Sequence, residues 1–250
     1  MKVVTNLAII TGSTKGLGAA LADVLAADKN NLVITLSRAP TGLGAGNAFN
    51  FNLDLADLHA LDSTFAAVVA RIGAQRFDHA LLINNAGVVL PVGAFDNIDA
   101  VETGKSLIVN LAAPMALSRL FAMATRERAL RRLIVNVSSG AAKRAIAGWS
   151  AYCAAKAGLE MATRVAAIEA SATDPTLSIC SLAPGVIDTN MQAVVRSVDE
   201  KDFPDVARFR AMKADGVLRD AHDVARDIVN LIEANKLTNG GNFDIRELTQ

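Results

Sequence analysis

Tyr152 and Lys156 are the pair of side chains with the clearest chemical potential in this sequence. On a helix, a spacing of four places both on one face, one turn apart. A phenol with a pKa of about 10 exchanges protons poorly at neutral pH, but a neighbouring ammonium group stabilises the phenolate and lowers that pKa. The pair therefore predicts a general acid for a carbonyl oxygen, or a base for an alcohol. Taken alone, the same spacing arises by chance in many helices.

A glycine-rich turn, TGSTKGLG at positions 11–18, follows the first apolar run. Such glycines let the chain turn tightly and bring backbone N–H groups against a pyrophosphate at a helix N-terminus. The spacing is Gly-x-x-x-Gly-x-Gly, not the commoner Gly-x-Gly-x-x-Gly, and an ordinary strand–helix loop also uses glycine. Its position in the first strand–helix unit favours a dinucleotide site.

The residues after the second apolar run predict which nicotinamide cofactor binds. An NAD site usually has an Asp or Glu there for the ribose hydroxyls. This chain has Arg38 instead, and no acidic residue lies between positions 32 and 52. Arg38 can pair with a 2′-phosphate, and Lys15 can approach the same group. NADP(H) is therefore predicted, against the alternative that both are solvated surface cations.

Short apolar runs alternate with longer helical patterns along the whole chain. Continuous apolar runs are typical of strands buried on both faces of a parallel sheet, and the alternating order predicts a doubly wound α/β fold. The predicted strands are 7–10, 32–36, 48–53, 80–83, 133–137, 177–182 and 242–245, and the predicted helices are 17–28, 57–72, 100–125, 149–171 and 220–234. Positions 1–250 are predicted to form one domain, with a flexible, partly helical flap over the site at about 190–216 or, alternatively, a plain surface excursion there.

Composition excludes several classes of partner. Twenty-five Lys and Arg residues balance twenty-five Asp and Glu residues, and a protein that binds nucleic acid needs net or clustered positive charge. The two cysteines, Cys153 and Cys180, have no metal-ligand spacing, and we expect no metal and free thiols. No signal peptide and no apolar stretch of about 20 residues is evident, so we expect a soluble, cytoplasmic protein without a membrane partner.

With these elements in view, the sequence resembles the short-chain dehydrogenase/reductase family over essentially its whole length. The motifs occur in the family's order: the turn at 11–18, Asp54-Leu55, Asn84-Asn85-Ala86-Gly87, Asn110, Ser138-Ser139, Tyr152…Lys156, and Pro184-Gly185 with Thr189. The interval from Ser139 to Tyr152 matches the family and selects Ser139 over Ser138. The resemblance implies a single Rossmann domain with a seven-stranded parallel sheet.

The resemblance also implies roles for individual residues. Ser139 orients the substrate carbonyl, Tyr152 supplies the proton, and Lys156 lowers the pKa of Tyr152 and holds the nicotinamide ribose. Asn110 stabilises a helix kink and anchors a water in the proton relay. The implied cofactor-binding residues are Gly12, Thr14, Lys15, Gly16, Leu17, Gly18, Arg38, Asp54, Leu55, Asn85, Ala86, Gly87, Tyr152, Lys156, Pro184, Gly185, Val186 and Thr189. As alternatives, Asp54 is a helix-cap residue, and Asn84-Asn85 an ordinary turn.

Local motifs around Trp149, Asn110 and Thr189 resemble the branch that contains sepiapterin reductases and bacterial benzil reductases. That branch implies a carbonyl next to another carbonyl, so we expect a vicinal diketone as substrate. The expected pocket residues are Ser139, Trp149, Tyr152 and Met191, with Phe203 closing from the flap; Trp149 is equally compatible with a core or subunit-contact position. No charged anchor for a polar substrate is evident, which favours an apolar compound.

Three other functions remain open at this stage. A pteridine reductase or an alcohol dehydrogenase would use the same chemistry on another substrate. A catalytically idle NADP(H)-binding sensor would need the cofactor site but not Ser139, Tyr152 and Lys156. The resemblance further implies a homodimer or homotetramer that associates through the helices predicted at 100–125 and 149–171.

Overall fold

The protein's computed structural model describes residues 5–43 and 46–249. The strands are β1 (Asn6–Thr11), β2 (Asn31–Ser37), β3 (Ala48–Asn52), β4 (Phe77–Asn84), β5 (Ala129–Val137), β6 (Leu177–Ala183) and β7 (Asn242–Asp244). They form one parallel seven-stranded sheet in the order β3-β2-β1-β4-β5-β6-β7. The strand order reverses direction between β1 and β4, which confirms the predicted doubly wound Rossmann fold.

Helices cover both faces of the sheet. They are α1 (Gly16–Ala27), α2 (Leu58–Ile72), α3 (Ala100–Leu107), α4 (Ala113–Thr125), α5 (Ser150–Thr173), α6 (Asn190–Ser197), α7 (Val206–Ala214), α8 (Ala221–Glu233) and α9 (Ile245–Leu248). Successive strand residues point to opposite faces. In β1, Ala8 and Ile10 pack with α1 and α8, whereas Leu7 and Ile9 pack with α2, α4 and α5. The sheet therefore has a buried apolar layer on each side.

Aspartates begin two of the predicted helices. Asp57 accepts hydrogen bonds from the backbone N–H groups of His59 and Ala60 at the start of α2, and Asp220 does the same for His222 and Asp223 at the start of α8. A side-chain oxygen at this position satisfies N–H groups that have no partner within the helix. Both helix starts agree with the sequence prediction.

Strand β5 begins four residues earlier than predicted because a charged side chain is buried in it. Arg132 is 2% exposed and forms an ion pair with Asp174. Its guanidinium also donates to the Thr176 hydroxyl and to the Ala122 carbonyl, at 2.7 and 3.0 Å. A paired and hydrogen-bonded charge can be buried in a sheet. The apolar pattern alone therefore missed this part of the strand.

The helix predicted at 100–125 is interrupted by a π-helical segment, Ile108–Ala112, between α3 and α4. Among the described residues, Ala100–Thr125 is one helical stretch long and apolar enough to cross a membrane by length and composition, a test that core helices of soluble proteins also pass. Its central Asn110 is fully buried, and Ala113, Leu117 and Phe121 of α4 pack against one face of the sheet. Met115 and Met123 on the opposite side are exposed.

Helices α6 and α7 occupy the segment at 190–216 that the sequence predicted as a flap. Phe203 between them is fully buried, and so is Val206 at the start of α7. Both pack in an apolar cluster with Trp149 and Tyr152. The segment therefore buries some of its apolar residues against the rest of the chain, and its flexibility as a flap stays a prediction.

Candidate active site

One cavity of about 650 Å³ lies along the carboxyl ends of the strands. Ligands of open α/β sheets bind at this edge, where the strand order reverses. The cavity is lined by all eighteen residues assigned to cofactor binding and by the four assigned to the substrate pocket. Two residues that were expected at the site, Asn110 and Phe203, do not line it. The structure thus brings together predicted site residues that are up to 179 positions apart, from Gly12 to Met191.

The glycine turn leaves no room for side chains at two positions. Gly12 has a φ of +70°, and a Cβ atom there would lie 2.8 Å from the Ala86 Cα. A Cβ on Gly18 would lie 2.2 Å from the Gly12 carbonyl oxygen. The N-terminus of α1, at Gly16, faces the same cavity. Backbone N–H groups at a helix start are suited to hold phosphate oxygens.

Asn85 braces this turn from the neighbouring strand. Its side-chain amide donates to the carbonyl oxygens of Thr11 and Gly12, at 3.0 and 3.3 Å. The Thr11 hydroxyl in turn accepts from the backbone N–H groups of Asn85 and Ala86, both at 3.0 Å. Asn84-Asn85 is therefore more than an ordinary turn after a strand, because Asn85 positions the glycine turn and also lines the cavity.

Two cations lie at the end of the cavity near the carboxyl terminus of β2. Lys15 and Arg38 are exposed, both line the cavity, and within the described chain neither makes an ion pair. Ser37 turns inward, donating to the Ala39 carbonyl or the Asn50 side chain at 2.7 Å. Asp54 lines the cavity and accepts from the Ala56 N–H at 3.0 Å in the turn before α2, so the alternative that Asp54 is a helix-cap residue is wrong, because Asp57 caps that helix.

Ser139, Tyr152 and Lys156 meet at the opposite end of the cavity. Tyr152 and Lys156 lie on α5 and are 7% and 4% exposed. The Lys156 Nζ donates to the Val137 carbonyl oxygen at 2.8 Å and lies 5.8 Å from the centre of the Tyr152 ring. Ser139 lies just past β5, and its hydroxyl accepts from the Ala141 N–H at 3.2 Å. One side chain from a strand end and two from one helix face thus converge.

Burial governs the protonation of this group. It raises the pKa of the Tyr152 phenol, and hydrogen bonding with Ser139 acts in the opposite direction. It lowers the pKa of Lys156 to about 8. The sequence predicted that Lys156 would lower the pKa of Tyr152. The net direction is upward instead, because loss of solvent around the phenolate outweighs the other influences on it.

Asn110 lies behind the cavity wall, in the π-helical segment. Its side-chain oxygen accepts from the Val88 N–H at 3.0 Å, and its amide donates to the Val88 carbonyl at 2.8 Å and the Ser106 hydroxyl at 3.1 Å. A Cβ added to Gly87 would lie 3.0 Å from the Asn110 oxygen and 3.8 Å from the Lys156 Nζ. Asn110 therefore ties the loop after β4 to the π-helical segment beside Lys156, and its role in anchoring a water of the proton relay stays a prediction.

An aromatic wall closes the substrate end. Trp149 stacks on Phe203 with ring centres 4.9 Å apart and meets Tyr152 edge-on at 5.4 Å. Phe209 of α7 packs against Trp149 at 5.4 Å and lines the cavity. Trp149 is thus both a core residue and a wall residue. Phe203 was expected to close the pocket, but it packs against Trp149 and does not line the cavity. Phe209 lines the cavity instead.

Sequence reasoning missed several polar residues of the wall, among them Arg144, Gln192 and Arg208. Arg144 and Arg208 are exposed and line the cavity, so its wall contains charged side chains that were not evident from the sequence. Gln192 is 5% exposed and follows the predicted Met191 directly. Its adjacency to Met191 is the one signal that the sequence offered. The two arginines lie in loop and flap positions that no motif marks.

The cavity as a whole fits a nicotinamide dinucleotide. Gly12 and Gly18 form a cradle that a Cβ atom would fill, which is the arrangement that lets a backbone approach a pyrophosphate. Thr189 packs beside this cradle, and its Cγ2 would lie 3.1 Å from a Cβ added to Gly16. Lys156 at the far end offers the only buried ammonium group among the described residues of the wall.

Comparisons with known proteins agree with this geometry. A family model described as short chain dehydrogenase matches residues 6–200. The benzil reductase ((S)-benzoin forming) of Bacillus subtilis is 38% identical over 97% of this chain and 99% of its own length. The sepiapterin reductase of Bos taurus is 30% identical over 96% of this chain and 94% of its own.

Solved structures give the same result for the fold. The crystal structure of the KRED1-Pglu enzyme superposes with a TM-score of 0.83 at 28% sequence identity. The match covers 95% of this chain and 100% of that one. The sheet and its flanking helices are therefore shared over nearly the whole of both chains.

Proposed function

The chain belongs to the short-chain dehydrogenase family of oxidoreductases, which use a nicotinamide cofactor, and from this we propose that it is an NADPH-dependent carbonyl reductase. We infer that it reduces a vicinal diketone such as benzil to a hydroxyketone. The observation that carries the proposal is the convergence of Ser139, Tyr152 and Lys156 at one end of a cavity whose other end holds the glycine turn.

NADPH, when bound, supplies the hydride for the carbonyl carbon. The Tyr152 phenol donates the proton to the carbonyl oxygen, and its raised pKa keeps it protonated and able to donate at neutral pH. Ser139 holds that oxygen by a hydrogen bond. Lys156, charged below about pH 8, stabilises the phenolate that remains after the proton has left. A proton from solvent then restores Tyr152.

Support for NADPH over NADH comes from the charges around β2. Lys15 and Arg38 lie in the cavity wall without acidic partners in the described chain, and a 2′-phosphate would neutralise both. A carboxylate at this place would repel that phosphate. The two cations therefore favour NADPH.

Support for a diketone comes from the relatives and from the wall. The Bacillus subtilis relative is named for benzil reduction, and Trp149, Phe209 and Met191 give this cavity an apolar and aromatic substrate end. The second candidate is reduction of a pteridine, favoured by the 30% identity to a sepiapterin reductase. Arg144 and Arg208 add a third chemistry to test, since they would suit a carbonyl compound that carries a carboxylate.

The test is steady-state oxidation of NADPH by the purified protein with a small panel of carbonyl compounds. The panel contains benzil, an aliphatic diketone, sepiapterin, an α-keto acid and an isolated ketone, and each is repeated with NADH. We expect the highest kcat/KM for the diketones, and for NADPH over NADH. Faster turnover of sepiapterin or of the α-keto acid would overturn the assignment of a diketone substrate, but the assignment of the protein as a reductase would still hold.

Tyr152→Phe separates a reductase from a cofactor sensor. It removes the proton donor and is expected to lower kcat by roughly 10²–10⁴, while NADPH still binds in a calorimetric titration. A protein that binds NADPH tightly but reduces nothing in the panel, with Tyr152→Phe behaving like the wild type, would be a sensor.

We further propose that the protein self-associates through α4 and α5 and acts in the cytoplasm. Met161, Val165 and Ile168 form an exposed apolar row on α5, with exposures of 52, 46 and 72%. Met115 and Met123 on α4 extend the apolar surface. Rows of this kind are typical of subunit interfaces. A second copy that covered them would give the homodimer or homotetramer implied by the family.

A further inference from the structure

Gln192 carries a buried hydrogen-bond donor that has no partner. The residue lies in the first turn of α6, lines the cavity and is 5% exposed. Its side-chain nitrogen Nε2 makes no hydrogen bond to any described residue. Native proteins pair almost all buried donors, because an unpaired one loses its water without compensation. A donor left unpaired in a cavity wall therefore suggests a ligand atom as its partner.

Arg196 fixes which end of the Gln192 amide is the donor. One turn along α6, the guanidinium of Arg196 donates to the Gln192 Oε1 at 2.6 Å. Turning the amide over would place its N–H groups against that guanidinium, where neither side has an acceptor. The Nε2 group is therefore the end that remains for a ligand.

The start of α6 lies close to the catalytic side chains. A Cβ added to Gly87 would lie 3.8 Å from the Lys156 Nζ and 3.9 Å from the Met191 Cε, so Met191 approaches the catalytic end. Gln192 follows it in the wall. The Nε2 atom is itself shielded from solvent, and the preceding residue, Met191, lines the cavity with an unbranched and flexible side chain that can move when a ligand enters.

We propose that Gln192 is a specificity-determining residue that donates a hydrogen bond to the second oxygen of a dicarbonyl substrate, an inference that rests on the proposed carbonyl reductase function. Tyr152 and Ser139 hold the oxygen of the carbonyl that is reduced. The neighbouring carbonyl oxygen is an acceptor without a proton, which is the group that an unpaired N–H donor can recognise. An isolated ketone has no such oxygen and gains nothing from Gln192.

The quantity that tests this proposal is a ratio, kcat/KM for a diketone divided by kcat/KM for a matched monoketone. For benzil, the matched compound is deoxybenzoin, which keeps both rings and lacks one carbonyl oxygen. Gln192→Met keeps the length of the side chain without the donor. Gln192→Glu keeps an oxygen for Arg196 but replaces the donor by an acceptor. Both variants are expected to lower the ratio by roughly tenfold or more, the usual effect of leaving one buried hydrogen bond unmade.

Val194→Ala is the matched control, since Val194 is on the same helix, is exposed and does not line the cavity. Its ratio should equal that of the wild type. Calorimetric titration with NADPH and thermal unfolding of every variant report cofactor binding and folding separately.

Three results would overturn the inference. An unchanged ratio in both variants would show that Gln192 does not read the second oxygen. A drop in Gln192→Met alone would assign the effect to the contact with Arg196. Equal losses for both substrates together with weaker NADPH binding would assign the donor to the cofactor. If the wild type reduces no carbonyl compound, the proposed function fails first, and the inference fails with it.

Among the described residues of this wall, Trp149 holds the other buried side-chain donor without a partner, the indole Nε1. Trp149→Phe removes that N–H and retains a ring against Phe203. A lower ratio in Trp149→Phe with an unchanged ratio in the Gln192 variants would reassign the recognition to Trp149 and refute the role of Gln192.

Discussion

Replacing Lys156 by methionine is expected to stabilise the fold at neutral pH while removing activity. Lys156 is 4% exposed, and its ammonium group has no carboxylate partner in the described structure. It donates to the Val137 carbonyl at 2.8 Å. Methionine preserves the aliphatic length of the side chain without the charge. The substitution therefore isolates what the buried charge costs.

The magnitude follows from the pKa of Lys156. Burial lowers it from 10.5 to about 8, which at about 1.4 kcal/mol per pH unit corresponds to about 3 kcal/mol against the charged form. The lost hydrogen bond to Val137 offsets about 1 kcal/mol of this. Lys156→Met should thus raise the free energy of unfolding at pH 7 by roughly 2 kcal/mol.

The sign with pH follows from linkage. The folded-state pKa lies below the unfolded one, so the unfolded chain binds more protons between about pH 8 and 10.5. In that window the stability of the wild type rises with pH. The advantage of Lys156→Met is therefore constant below about pH 8. It should shrink by roughly 2 kcal/mol between pH 7 and pH 9.5.

Urea unfolding followed by circular dichroism at both pH values measures the difference, provided that the slopes with urea agree. Lys236→Met is the matched control, because Lys236 is exposed and lies outside the cavity. It should change stability little at either pH. The reasoning would be refuted if Lys156→Met destabilised the protein at pH 7, or if its effect were the same at both pH values.

Three further perturbations test other parts of the site and surface. Arg38→Ala is expected to weaken NADPH binding about tenfold and NADH binding far less, since it removes one charge-assisted contact to a 2′-phosphate; equal losses in calorimetric titrations with both cofactors would contradict the NADPH assignment. Gly18→Ala should abolish measurable NADPH binding, because its Cβ would lie 2.2 Å from the Gly12 carbonyl, whereas Gly42→Ala, with nothing within 4 Å, should bind normally. Ile168→Glu should convert the assembly to monomers in size-exclusion chromatography with light scattering, and a monomeric wild type would disprove the proposed interface.

The sequence predicted those features that depend on short-range patterns. Strand β2 has the apolar core sequence LVITL at positions 32–36, and each of the seven residues of the strand is buried. The three glycines of the turn at 11–18 and the pair Tyr152 and Lys156 are recognised from their local spacing. All five of these residues line the cavity. The residues that are adjacent in the sequence are sufficient to predict these features.

Features that depend on distant contacts were missed or misjudged. Arg132 interrupts the apolar pattern of β5 and is buried because Asp174, 42 positions away, pairs with it. The upward shift of the Tyr152 pKa depends on how deeply the fold buries the phenol, which no motif encodes. Gln192 is an ordinary polar residue in the sequence until α6 is packed over the cavity. In each case the determining neighbour is remote in the chain.

Trp149 and Tyr152 are the only tryptophan and the only tyrosine in the chain, and they are in contact across 5.4 Å. Every photon of intrinsic indole or phenol fluorescence from this protein therefore originates in the wall of one cavity. Ligand entry, movement of α7 against Trp149 and binding of a reduced nicotinamide, which absorbs where indole emits, would all register in that single signal. The protein has, in effect, its own optical probe of occupancy, with no background from the rest of the fold.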